Sequence, residues 1–126
     1  RNIQVSSESI EADPKKWSMV AAENLGVTVL LKGSTTYIAR PDHLIELPKA
    51  TPWLATAGSG DVLAGIIGAL VATNCIEILN DEKFLAQVAA TGAFIHNSAA
   101  LLASKDAPIS ATSIIKFIPE AIRKII

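Results

Sequence analysis

The sequence predicts an α/β fold in which a few strands carry several helices and the remainder of a parallel sheet lies outside the 126 residues. Three observations predict it. The run VTVLLK at 27–32 is continuously apolar and β-branched, the pattern of a strand buried on both faces. Two shorter strand-like runs follow, and beyond Thr56 nearly every segment reads as helix. Helices apolar on several faces normally cover both sides of a parallel sheet, so three strands are too few for them.

In chain order, PKKWSMVAAENL (14–25) sets Trp17, Val20 and Ala21 at helical spacing behind Pro14, a residue suited to a first helical position. Gly26 stops that helix. Gly33 and Ser34 end the first strand in a turn; TTYIAR (35–40) and LIEL (44–47) are two more strands, separated by the turn formers Pro41 and Asp42. Together they suggest an antiparallel meander. Helices are expected over about 60–74, 82–104 and 112–126, the last with a break or fresh start at Pro119.

Composition narrows the partners. Apolar residues make up 50% of the chain, charged residues 18%, and the mean hydropathy is +0.39. That is more apolar surface than a small self-sufficient domain needs, so a homo-oligomer or a separate N-terminal half is expected to cover it. A net charge of −1 and a pI near 6.1 give no electrostatic footprint for nucleic acid or anionic membrane. The uncharged stretch from Val62 to Ile76 is shorter than the roughly 20 residues of a membrane span. The lone Cys75 excludes an intrachain disulfide, two scattered histidines offer no metal site, and a reducing, cytoplasmic setting is expected. The chain begins with Arg1 and shows no signal-peptide pattern, as a processed or partial chain would.

The stretch TAGSGDVLAG (56–65) carries the clearest chemistry. Gly58, Ser59 and Gly60 have almost no side-chain bulk, so their amides can converge on one ligand atom, and the apolar helix that follows adds its positive end. An anion suits that point. Asp61 stands in the first turn beside it, placed to accept a proton from a hydroxyl that meets a bound phosphoryl group. The same aspartate would also serve simply to complement the helix dipole.

A second candidate is LKGSTT (31–36), with Lys32 at a strand end before small hydroxyl-bearing residues. It reads as a solvated hairpin turn, or as a contact for a nucleotide's phosphate or sugar. His96 is expected as a satisfied core or helix-face residue and His43 as solvated, while Trp17, Trp53 and Phe94 are expected to pack.

With both stretches in view, TVLLKGSTTYIARPD, LATAGSGDVLAGIIGALVA, GAFIHNSAALLA and TSIIKFIPEAI resemble, in order and approximate spacing, the C-terminal part of the ADP- or ATP-dependent NAD(P)H-hydrate dehydratases, a ribokinase-like family. The resemblance implies dehydration of NADHX or NADPHX to NADH or NADPH, with adenine nucleotide as co-substrate and magnesium beside it. It makes Asp61 the catalytic base in contact with substrate, Gly58, Ser59 and Gly60 the anion hole, and Lys32, Gly33, Ser34, Thr35, Thr36 and Gly60 the nucleotide-binding residues. It implies that residues 1–126 are the C-terminal part of one nucleotide-binding domain about twice as long. Lys49, Pro52 and Trp53 depart from the small and amide residues usual before LATAGSGD, and Asn97 stands where many relatives have glycine. Two rival readings use the same residues: a kinase of a sugar or vitamin alcohol, and a non-catalytic module that binds a partner through its apolar helices.

Overall fold

The computed structural model describes residues 4–126. A short helix, α1 (Ser7–Ala12), precedes α2 (Pro14–Leu25), and Asp13 separates them because its carboxylate accepts the Lys16 N–H at 3.0 Å in front of Pro14. The sequence reading placed α2 at these bounds and missed α1. Three strands follow, β1 (Val29–Leu31), β2 (Tyr37–Arg40) and β3 (His43–Glu46), in sheet order β1-β2-β3 and antiparallel throughout. Arg40 faces His43 across a two-residue turn in which Asp42 takes φ +65° after Pro41. The meander is therefore as expected, with β1 three residues and β2 two residues shorter than expected and β3 shifted by one.

Both faces of β2 are covered. Side chains alternate along a strand, and Ile38 and Ala39 are both fully buried. Ile38 clusters with Leu47, Leu63, Ala86, Ala89 and Ala93, whereas α2 packs against β1 and β2. β1 differs from its expected double burial: Val29, Leu30 and Leu31 are only half-buried, because β1 pairs with β2 alone and its other edge has no strand partner among the described residues.

Beyond a single 3₁₀ turn at Pro52–Leu54, the chain is helical: α3 (Ser59–Thr73), α4 (Cys75–Asn80), α5 (Phe84–Ser104) and α6 (Ala111–Arg123). Gly92 on α5 sits directly against α3, where a Cβ would lie 2.8 Å from Ile67 Cγ1. Further along α5, Ile95 lines a cleft with Gly58 and Asp61 at the start of α3, so the two helices run antiparallel. Leu54, Ile95, Ala99, Ala100, Ile114 and Ala121 form a second cluster that seats α6 on α5.

Three expectations are corrected here. Helix α6 passes through Pro119 without a break. Pro119 and Ile115 share the solvent side one turn apart, so water can satisfy the carbonyl that loses its N–H donor. The uncharged run relevant to a membrane is α5, which is 21 residues and long and apolar enough to cross one by length and composition. It is the central helix, with Ala86 to Ser104 buried at successive turns against α3 and α6. Trp53 and Phe94, expected to pack, are 36% and 41% exposed, with no element covering them among the described residues.

Candidate functional site

Gly58 turns the chain into α3. Its φ of +80° is left-handed, and a Cβ there would meet Ala111 Cβ at 3.1 Å, so conformation and space both require glycine. Gly58→Ala is expected to lower stability by about 1–2 kcal/mol, read as a fall in the thermal unfolding midpoint. An unchanged midpoint would mean that the loop holds another conformation.

No side chain caps α3. Of its first amides, Ser59 N–H donates to the Thr56 carbonyl at 3.2 Å, while Val62 N–H makes the first helical bond to Gly58 O, also at 3.2 Å. The N–H groups of Gly58, Gly60 and Asp61 have no backbone acceptor among the described residues. Ser59, expected in a cradle with Gly58 and Gly60, is the one corrected: it is buried, its hydroxyl donates to Leu54 O at 2.9 Å and its amide is already engaged, whereas the Asp61 amide is unpaired. The general rule that a helix's first N–H groups are unpaired would have pointed to Asp61 N–H from sequence. Gly60 is exposed, and a Cβ on it would meet nothing within 4 Å, so a ligand can reach its backbone.

The Asp61 carboxylate is exposed at the mouth of a cleft of about 670 Å³ between α3, α5 and α6. Asp61 is the only ionisable residue on a lining that is otherwise glycine and aliphatic, Val62, Ile66, Leu70, Ile115 and Ile118 among it. The carboxylate borders an apolar cleft in the same turn as the unpaired amides of Gly60 and Asp61. That arrangement suits proton removal from a hydroxyl next to a bound anion.

The second sequence candidate lies in neighbouring cavities. Lys32, Gly33 and Ser34 are exposed and line a cavity of about 470 Å³ with Lys49, Thr51 and Leu54; the same turn and Thr35 line another, of about 330 Å³, against Glu11 and Pro14. Ala50 N–H, donating to Ser34 O at 2.8 Å, fastens the turn to the segment that leads into α3. Thr36 lines neither cavity. It is buried at the end of the sheet, where its carbonyl accepts Leu47 N–H at 3.0 Å. Sequence reasoning missed Lys49 as a member of this group; like Lys32 it makes no ion pair among the described residues.

His96 is fully buried, and neither ring nitrogen has a hydrogen-bond partner among the described residues. It is in the core as expected, but unsatisfied. An orphaned buried polar group costs about 1–3 kcal/mol. Burial pushes its pKa down from 6.5, the nearby Ser59 backbone opposes that, and the Lys32 charge adds to the lowering. The Lys32 effect brings the β1–β2 turn within electrostatic reach of His96 on α5. Since the unfolded ring accepts a proton more readily, the neutral ring's stabilising contribution is whole above about pH 6.5 and is lost as pH falls below it. The chain is expected to be less stable at about pH 5.5 than at about pH 7.5, and His96→Phe to flatten that slope in denaturant titrations. A slope unchanged by the substitution would assign the effect to other groups.

A glycine-led helix start at an apolar cleft, beside a small antiparallel meander carrying a strand-end lysine, defines a ribokinase-like α/β portion. YxkO of Bacillus subtilis, a UPF0031-family protein, shares this fold: TM-score 0.80 at 21% identity, over 95% of this chain and 43% of that one. The chain belongs to the Carb_kinase family, described as NAD(P)H-hydrate dehydratase, which it matches over residues 4–120. It is 42% identical over 107 residues to the bifunctional NAD(P)H-hydrate repair enzyme Nnr of Mycobacterium leprae, covering 80% of this chain and 21% of that protein. It is 41% identical over 87 residues to the ADP-dependent (S)-NAD(P)H-hydrate dehydratase of Neisseria meningitidis, covering 68% and 27%. The chain therefore spans about a fifth to a quarter of the length of these relatives.

Proposed function

We propose that residues 4–126 are the C-terminal part of a nucleotide-binding domain that dehydrates NADHX or NADPHX to NADH or NADPH, with ADP or ATP as co-substrate. The observation that carries this reading is the set of unpartnered amides at Gly58, Gly60 and Asp61 beside the exposed Asp61 carboxylate. The terminal phosphoryl group sits on those amides. The substrate's ring hydroxyl oxygen bonds to phosphorus as the bond to the nucleotide's bridging oxygen breaks, and Asp61 takes the hydroxyl proton. The phosphate then leaves with the carbon–oxygen electrons, a neighbouring carbon gives up its proton to water, and the C–H electron pair restores the double bond.

Lys32, Ser34 and Thr35 hold the rest of the nucleotide, with Lys49 adding charge on the facing wall. Magnesium, which the family resemblance implies, would neutralise phosphate charge in this chemistry, held mostly by the phosphates and water. The unpaired edge of β1 is where further strands of the domain add, whether from the same polypeptide or another copy, in a cytoplasmic setting.

Titration of ¹⁵N-labelled chain with ADP is expected to move the amide signals of Gly58, Gly60 and Asp61 more than that of Ser59. A largest shift elsewhere, or none, would remove the anion cradle from this loop. Accumulation of a stable phosphorylated alcohol from a sugar or vitamin panel would favour kinase chemistry instead.

A further inference from the structure

The turn of α5 that carries Ile95 and His96 approaches the first turn of α3 through Leu54, which clusters with Ile95 and whose carbonyl accepts the Ser59 hydroxyl at 2.9 Å. His96 is fully enclosed there with both nitrogens unpartnered, and the Ser59 backbone is close enough to act on the ring. The Ser59 carbonyl and the Gly60 N–H belong to one rigid trans peptide plane, pointing in opposite directions. Whatever grips that carbonyl also aims that amide. We propose that His96 is a positioning residue for the anion cradle, its ring N–H donating to the Ser59 carbonyl once an anion occupies the Gly60 amide. An anion on the amide polarises the peptide and makes its carbonyl a stronger acceptor, so the two bonds reinforce each other.

This inference rests on the cradle reading above, and the experiment separates the two. The 126-residue chain is titrated with ADP, and with inorganic phosphate alone, while the ¹⁵N signals of the His96 ring and the Gly60 amide are followed together. Both are expected to move with one binding curve. His96→Phe is expected to weaken ADP binding about tenfold, the equivalent of one hydrogen bond of ordinary net strength, without lowering the unfolding midpoint at neutral pH. His96→Gln, whose amide can still donate, should return affinity to within about threefold of the parent. Ring signals that stay still while ADP binds, or full affinity in His96→Phe, would overturn the positioning role and leave the cradle standing. A parent chain that binds neither ADP nor phosphate would overturn both.

Discussion

Asp61→Asn, made in a chain carrying the whole domain, is expected to reduce NADHX turnover by about a hundredfold to ten-thousandfold, the usual contribution of a placed general base. The amide keeps the shape of the carboxylate and loses only the ability to take the hydroxyl proton. Asp61 is exposed and makes no ion pair among the described residues, so its replacement disturbs no packing. Nucleotide affinity should stay within a few-fold, because the anion meets backbone N–H groups that the substitution leaves in place. Turnover near that of the parent would take Asp61 out of the mechanism, whereas a matched loss of affinity would recast it as a binding residue.

The second large effect concerns the 126 residues by themselves, which are expected to turn over no NADHX. The cradle and Asp61 border a cleft closed by α3, α5 and α6 on one side, and the lysine-lined cavities open beyond the 49–55 segment. Phosphoryl transfer needs the hydroxyl and the phosphate held in near-attack geometry from both sides, and these elements hold them from one. Exposed Ile115 and Ile122 on α6 and Leu101 and Phe94 on α5 should also drive association. Size-exclusion chromatography coupled to an assay for NADHX loss tests both parts. A stable monomer that repairs NADHX would show that the site is complete without further chain.

What could be read from sequence divides along a physical line. α2 was legible at both ends because its signals are local: Pro14 starts it and Gly26 ends it. The meander was legible for the same reason, its turns being marked by Gly33, Ser34, Pro41 and Asp42. The position of Asp61 in a first helical turn followed from the small residues before it. What depended on neighbours distant in the chain was not legible. The half-burial of β1 is set by the lack of a strand partner on its other edge among the described residues. The isolation of His96 depends on how closely α5 approaches α3, which Gly92 permits and no local pattern announces. Pro119 misled because proline's cost in a helix depends on whether the orphaned carbonyl reaches water.

The sheet order β1-β2-β3, read straight along the chain, has a kinetic consequence. Its pairings, from Val29↔Ala39 to Arg40↔His43, close only short loops, so the meander can assemble on the microsecond scale of hairpins, without waiting for a crossover helix. Docking of α5 onto β2 closes a loop several times longer and comes later on that clock. The free side of β1 is then presented early, while most apolar helices are still unseated. At three residues it is too short to recruit strands indiscriminately, which disfavours edge-to-edge pairing between copies of the chain.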